Sequence, residues 1–172
     1  MAALLASLVV LLLVAVPVEA SVLRGLTVKQ LRDRAETIVA GKVISVRTER
    51  SDGRIETVAR VRVQRRWRGT KDRVVTVRTL GGRLGGRRLL VAGAATLQRG
   101  DHVLLFLYRN GEQWRPVGMF QGVWRLDGED AEIARASDSG GASLLRPASG
   151  APAVETPART VRQLAGRVRG GQ

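Results

Sequence analysis

The chain reads as a mainly β protein with a short helix leading into it and a second short helix after it. Three observations carry this reading. Ile55, Thr57, Ala59, Val61 and Val63 point one way while Glu56, Arg60, Arg62 and Gln64 point the other, the period of a half-buried strand. Ser51-Asp52-Gly53 and Asn110-Gly111 are hairpin signals set between β-rich stretches. Residues 103–108 form a continuous apolar run, the pattern of a central strand covered on both faces.

In chain order, the first element is not part of the domain. Residues 4–16 are almost wholly apolar, shorter than the about 20 residues of a membrane span and suited to the core of a secretory signal peptide. Pro17 ends the helical pattern. Val18-Glu19-Ala20 then places a small or β-branched residue one and three positions before a cut between Ala20 and Ser21. Residues 1–20 are therefore expected to be a signal peptide, and the mature protein to lie outside the cytoplasm, periplasmic or secreted. No Lys or Arg precedes the apolar run, and retention as an uncleaved anchor is the alternative.

What remains is one domain's length, enough to bury a core without covalent staples. The chain has no cysteine and one histidine, His102. That excludes a lipoprotein, the small disulfide scaffolds, zinc–thiolate sites and a histidine-rich metal centre. No cofactor is expected. The formal net charge is +14, and Glu19 would leave with the leader and raise it further. Such a charge favours anionic partners. Only Lys29, Lys42 and Lys71 of the 29 basic residues are lysines, and arginine, alanine, glycine and valine are all abundant. A GC-rich coding sequence produces the same composition, so the arginine excess has both a functional and a mutational reading.

Thr27 and Gln30 form a capping box, with Leu26 and Leu31 placed as a hydrophobic staple, and predict a helix over 28–36. Residues 38–50 become β-rich, with Gly41 at a bulge or close approach. After the turn at residues 51–53 the alternating strand runs to Arg65-Arg66-Trp67-Arg68-Gly69. Val74, Val75, Val77 and Thr79 make a third strand. Residues 81–88, Gly-Gly-Arg-Leu-Gly-Gly-Arg-Arg, read as a flexible loop, followed by a short strand at 89–91 and a turn at 98–101. The apolar strand and the Asn110-Gly111 hairpin follow, then strands at 114–117 and 119–126, a turn at 127–129 and a last strand at 131–134. Residues 137–157, rich in Ser, Gly, Ala and Pro, read as a flexible linker. Thr156-Pro157 then starts a basic helix over 158–169, with Val161, Leu164, Ala165 and Val168 on one side. The domain itself spans 21–136.

The order of several short patterns resembles a group of uncharacterised secreted bacterial domains. The patterns are Ala40-Gly41-Lys42-Val43, Val61-x-Val63 leading to Trp67-Arg68-Gly69, Val75-x-Val77 leading to Gly81-Gly82, Leu97-x-x-Gly100-Asp101-x-Val103-Leu104-Leu105-Phe106-Leu107, and Gly118-x-x-Gln121-Gly122-x-Trp124. The resemblance implies a small antiparallel β-barrel of the oligonucleotide/oligosaccharide-binding (OB) or netrin-like kind. The netrin-like group includes the tissue inhibitors of metalloproteinases, whose inhibition uses an N-terminal cysteine. This chain has none, so that mechanism does not carry over.

Candidate chemistry is sparse. Asp138-Ser139-Gly140-Gly141 echoes the nucleophile loop of chymotrypsin-like proteases and His102 precedes it, but the serine falls in the expected linker, where no rigid base can be held against it. The glycine–arginine stretch at 81–88 could cradle an anion, yet it lacks the lysine and the following helix of a phosphate loop. Arg60, Arg62, Arg66 and Arg68 fall on the solvent phase of one strand and its end, and are the expected binding face. The aromatics sit in apolar patterns, which favours core packing over base stacking and makes nucleic acid the weaker partner. The terminal helix could lie on an anionic membrane but has four apolar positions and no aromatic. The expectation is a non-enzymatic module for an anionic polymer or a protein. The alternative is an inhibitor or accessory protein of a secreted protease.

Overall fold

Two long strands organise the molecule, β2 (Thr37–Ser51) and β3 (Arg54–Arg68). They are joined by Asp52 and Gly53, both at left-handed φ (47° and 75°), the hairpin geometry whose twist matches that of the strands. The computed structural model describes residues 22–129, 133–137, 143–145 and 159–161. Of these, the other elements are β1 (Val22–Arg24), α1 (Val28–Arg34), β4 (Val74–Leu80), β5 (Gly82–Leu84), β6 (Arg87–Leu89), β7 (His102–Asn110), β8 (Gln113–Pro116), β9 (Val123–Leu126), β10 (Ile133–Ala136), β11 (Ser143–Leu145) and β12 (Arg159–Thr160). The protein is mainly β.

Among the described residues the main sheet runs β12-β10-β9-β7-β2-β3-β4-β8, and β8 also pairs with β7. Five strands, β2, β3, β4, β8 and β7, therefore close into a ring. Every neighbouring pair in the ring is antiparallel except β4 and β8, which meet in a parallel bridge at Val77 and Trp114. Each ring strand sends side chains to one interior cluster: Val39 and Val43, Ala59 and Val61, Val75 and Val77, Val103, Leu105 and Leu107, and the half-buried Trp114.

A second core lies on the other side of β2 and β7. It gathers Ile38, Ala40, Leu104 and Phe106 with Trp124 and Ala134, and is covered by Leu26, Leu31 and Ala35 from around α1. Residues 103–107 are buried throughout because alternate side chains enter the two cores. α1 starts as its sequence dictates: Gln30 N donates to Thr27 Oγ1 (3.2 Å) and Thr27 N donates to Gln30 Oε1 (2.9 Å). It ends at Arg34, two residues before the expected limit, with Glu36 N already donating to Leu107 O (2.8 Å).

Gly41 is a close approach, and it faces a bulge carried by β3. The β2–β3 register shifts between Ala40 and Gly41, and a Cβ at Gly41 would overlap the carbonyl oxygen of Arg62.

Several local expectations change. Residues 119–126 are not one strand: Met119–Gly122 is a 3-10 turn and only Val123–Leu126 is extended. Gly118 and Met119 both sit at φ 62°, which ends β8 and turns the chain inward. Gln121 is buried there and ties the N-terminal segment down, accepting from Leu26 N (2.7 Å) and donating to Arg24 O (3.1 Å). Residues 81–88 are a tight ribbon, β5 paired with β6 across Gly85-Gly86, because Arg83–Arg88 and Leu84–Arg87 fall into antiparallel register. The strand expected at 89–91 is thus β6, ending at Leu89.

The last strand expected for the domain, at 131–134, is instead Ile133–Ala136 and ends two residues later. Within the stretch read as a linker, Ser143–Leu145 pairs in parallel with Val22–Arg24. Arg159–Thr160, expected to be helical, pairs instead with Ile133–Ala134, and helix begins at Val161, whose side chain is buried in the outer core. Residues 162–169 of the expected C-terminal helix, like the expected signal peptide and its Ala20–Ser21 junction, lie outside the described residues.

Candidate functional site

On β3 the register with β4 is regular from Glu56–Leu80 to Arg62–Val74, so Glu56, Val58, Arg60 and Arg62 share one face, opposite the ring interior occupied by Ala59 and Val61. On that face Arg62 stands directly across from Lys42 of β2, and Arg60 from Ser45 on β2 and Thr76 on β4. Lys42, Arg60, Arg62 and Thr76 are exposed. Among the described residues Lys42, Arg60 and Arg62 have no acidic partner. The result is an uncompensated cationic patch on hydrogen-bonded strands.

Arg66 and Arg68 do not simply continue it. β3 carries extra residues against β2 at Gln64 and Trp67: Gly41 faces Val63, Ala40 faces Arg65, Val39 faces Arg66 and Ile38 faces Arg68. Each extra residue inverts the alternation. Arg65 thereby joins the face of Arg60 and Arg62, since its partner Ala40 belongs to the outer core, while Arg66 lies opposite the interior residue Val39. Arg66 is exposed and its Nη2 donates to Asp72 O (3.1 Å). Arg68 is half-buried and its Nη1 donates to Arg32 O (2.7 Å) and Ala35 O (3.0 Å), satisfying carbonyls at the end of α1. Of the four arginines, the structure brings Arg60 and Arg62 together, turns Arg66 to the other phase and engages Arg68 in holding the helix. A period-2 reading could not see this, because bulge positions depend on the pairing partner.

Further along the same face, the solvent-side expectation for Glu56 fails. It is 3% exposed. Arg115 Nη2 lies 2.5 Å from Glu56 Oε1 and Arg78 Nη1 3.3 Å from Oε2. Arg78 also reaches Glu49 Oε1 at 2.7 Å, so one guanidinium bridges two carboxylates that face each other across β2 and β3. Arg47 Nε adds a 2.9 Å bond to Glu49, and these two arginines, Arg47 first, hold the Glu49 carboxyl below the usual glutamate range. Beside this network a cavity of about 80 Å³ is lined by Arg78, Thr79, Tyr108, Arg115 and Met119 among others. The hydrogen-bond capacity of Thr79 Oγ1 and Arg115 Nε is unmet. Nothing near Glu56 in sequence announces the network, since its partners come from strands 22 and 59 residues away.

His102 opens β7 between Lys42 and Leu126, half-buried, with Nδ1 enclosed and without a hydrogen-bond partner. Residues 138–141 lie outside the described residues. Phe106, Phe120 and Trp124 are buried, and Trp124 Nε1 donates to Gln121 O (3.1 Å). Trp114 lies under the Arg109 guanidinium, 4.5 Å from its ring centroid. Among the described residues no helix is long and apolar enough to cross a membrane. No protein-family model matches this chain, and a search of curated proteins finds no match.

Proposed function

We propose that the protein is a non-enzymatic binding module that acts outside the cytoplasm and engages an anionic polymer or an acidic protein surface through Lys42, Arg60 and Arg62. The observation that carries this reading is the row of exposed cations on the β2–β3 sheet with no acidic partner among the described residues. Solvated single arginines are ordinary, but adjacent unpaired cations on neighbouring strands attract phosphate, sulfate or carboxylate groups. Export is read from residues 1–20 and absence of catalysis from a chain with no cysteine and one histidine.

We further propose that the five-stranded ring is a small β-barrel of the OB or netrin-like kind. Its five strands and apolar interior support this. In OB barrels the ligand face lies on the second and third strands, and here the second ring strand in chain order, β3, carries Arg60 and Arg62. The test is retention on heparin at physiological salt. Arg60→Ser with Arg62→Ser should elute at clearly lower salt, and Arg68→Ser should elute close to the parent. Unchanged retention of the double variant would overturn the site.

A further inference from the structure

The β5–β6 ribbon carries features the cationic sheet does not. Arg83 and Arg88 are directly opposite each other, and like charges in that position destabilise a ribbon. Both are exposed, and among the described residues neither has an acidic partner. The same two residues line a cavity of about 180 Å³ between the ribbon and residues 91–97. Much of the rest of its wall is apolar, with Leu80, Leu89, Leu90 and Leu97. Leu89 (40%) and Leu90 (73%) are the exposed large hydrophobic side chains among the described residues, and both belong to this wall. Water-exposed leucines beside an open cavity mark a binding surface, and two unneutralised guanidiniums at its edge specify the charge of what binds.

We infer that this cavity binds an anionic amphiphile, with its carboxylate or phosphate held between Arg83 and Arg88 and its hydrocarbon chain lying along Leu89 and Leu90 into the cavity. The pairing explains both oddities at once: the anion relieves the Arg83–Arg88 repulsion, and the chain covers the leucines. A nucleic acid strand would call for stacking aromatics, and no Phe, Tyr or Trp lines this cavity. A sulfated or acidic sugar polymer would leave Leu89 and Leu90 in water. The site is separate from the Arg60–Arg62 patch.

The test uses the full chain and calorimetric titration with sodium dodecanoate below its micelle concentration. Dodecanoate should bind with affinity that rises with chain length from acetate through hexanoate, while dodecanol, of equal length and no charge, should bind about tenfold more weakly or less well still. Arg83→Gln with Arg88→Gln should reduce dodecanoate binding about tenfold, and Leu90→Ser should flatten the dependence on chain length. All three positions are exposed, so the variants should fold. Arg60→Ser with Arg62→Ser should leave dodecanoate binding unchanged, which separates this site from the anionic-polymer face. Sedimentation of the Arg60→Ser with Arg62→Ser variant with phosphatidylglycerol vesicles, against phosphatidylcholine, distinguishes the source of the ligand: binding to the free amphiphile alone assigns a soluble lipid, and vesicle binding that is lost on adding Arg83→Gln with Arg88→Gln assigns a headgroup in a bilayer. The inference is overturned by equal binding of dodecanol, by dodecanoate binding that survives loss of both arginines, or by a short acidic leucine peptide binding as tightly as dodecanoate.

Discussion

On a single face of β3, Glu56 and the Arg60–Arg62 pair meet opposite fates. Glu56 is buried under two arginines, while Arg60 and Arg62 stand in solvent. Strand, face and regular register are the same. The difference is in what neighbouring strands bring across. At Glu56 the sheet brings Arg78 and Arg115, long side chains of opposite sign that can lie over a carboxylate and exclude water. At Arg62 it brings Lys42 and Val74, neither of which can neutralise a guanidinium. A charge on a strand is therefore structural or available according to its cross-strand partners, and only the second kind is free for a ligand.

Substitutions can break that contrast, and the largest effect is expected at its buried end. Glu56→Ala leaves Arg78 and Arg115 facing each other without their shared counter-ion, and should cost about 3 kcal/mol or more by chemical denaturation. Loss of under 1 kcal/mol would mean the network is solvated. Next is the place where β2 passes against the exposed cations. Gly41→Ala pushes a methyl into the Arg62 carbonyl and should cost about 1–3 kcal/mol, seen as a lower melting temperature.

At the exposed end, Arg60→Ser with Arg62→Ser should change stability by less than about 0.5 kcal/mol while weakening heparin retention. A large loss of stability would place these arginines with Glu56 as structural groups. The smallest effect concerns Glu49. Its carboxyl titrates below the usual range because Arg47 and Arg78 bond its ionised form. The stabilisation is therefore present above the unfolded-state value of about 4.3 and lost as pH falls through the lower folded value. Melting curves between about pH 5 and pH 3 should show the parent losing slightly more stability than Glu49→Gln, and equal losses would mean that the pairing does not persist in solution.

The sequence was most legible where a signal spans a few residues. The Thr27–Gln30 box, the Asp52-Gly53 turn, the close approach at Gly41 and the two-sided burial of 103–107 were all readable from residue type and spacing. The hairpin at Asn110-Gly111 was too, although the turn itself is Gly111-Glu112, since Asn110 still pairs with Gln113. It was least legible where a backbone conformation or a partner intervened. Residues 119–126 have strand composition, yet positive φ at Gly118 and Met119 and the burial of Gln121 beneath Leu26 make the first half a turn. The glycine–arginine stretch looked like a loop because its strands are only three residues long, too short to show alternation. Half of the arginine face was displaced by extra residues at Gln64 and Trp67 that have no local signature.

By itself the sequence determined a mainly β chain, its leading helix cap, its tight turns and its excess of cations, because each depends on residues within about one turn or one strand of each other. Only the tertiary structure decided that five strands close on one apolar interior, that Arg78 and Arg115 converge on Glu56, that Arg68 caps α1, and that Lys42, Arg60 and Arg62 are left facing solvent together. Those outcomes rest on pairings between residues some 20 to 70 positions apart. Charge and hydrophobicity state what each residue can do. Register states what it meets.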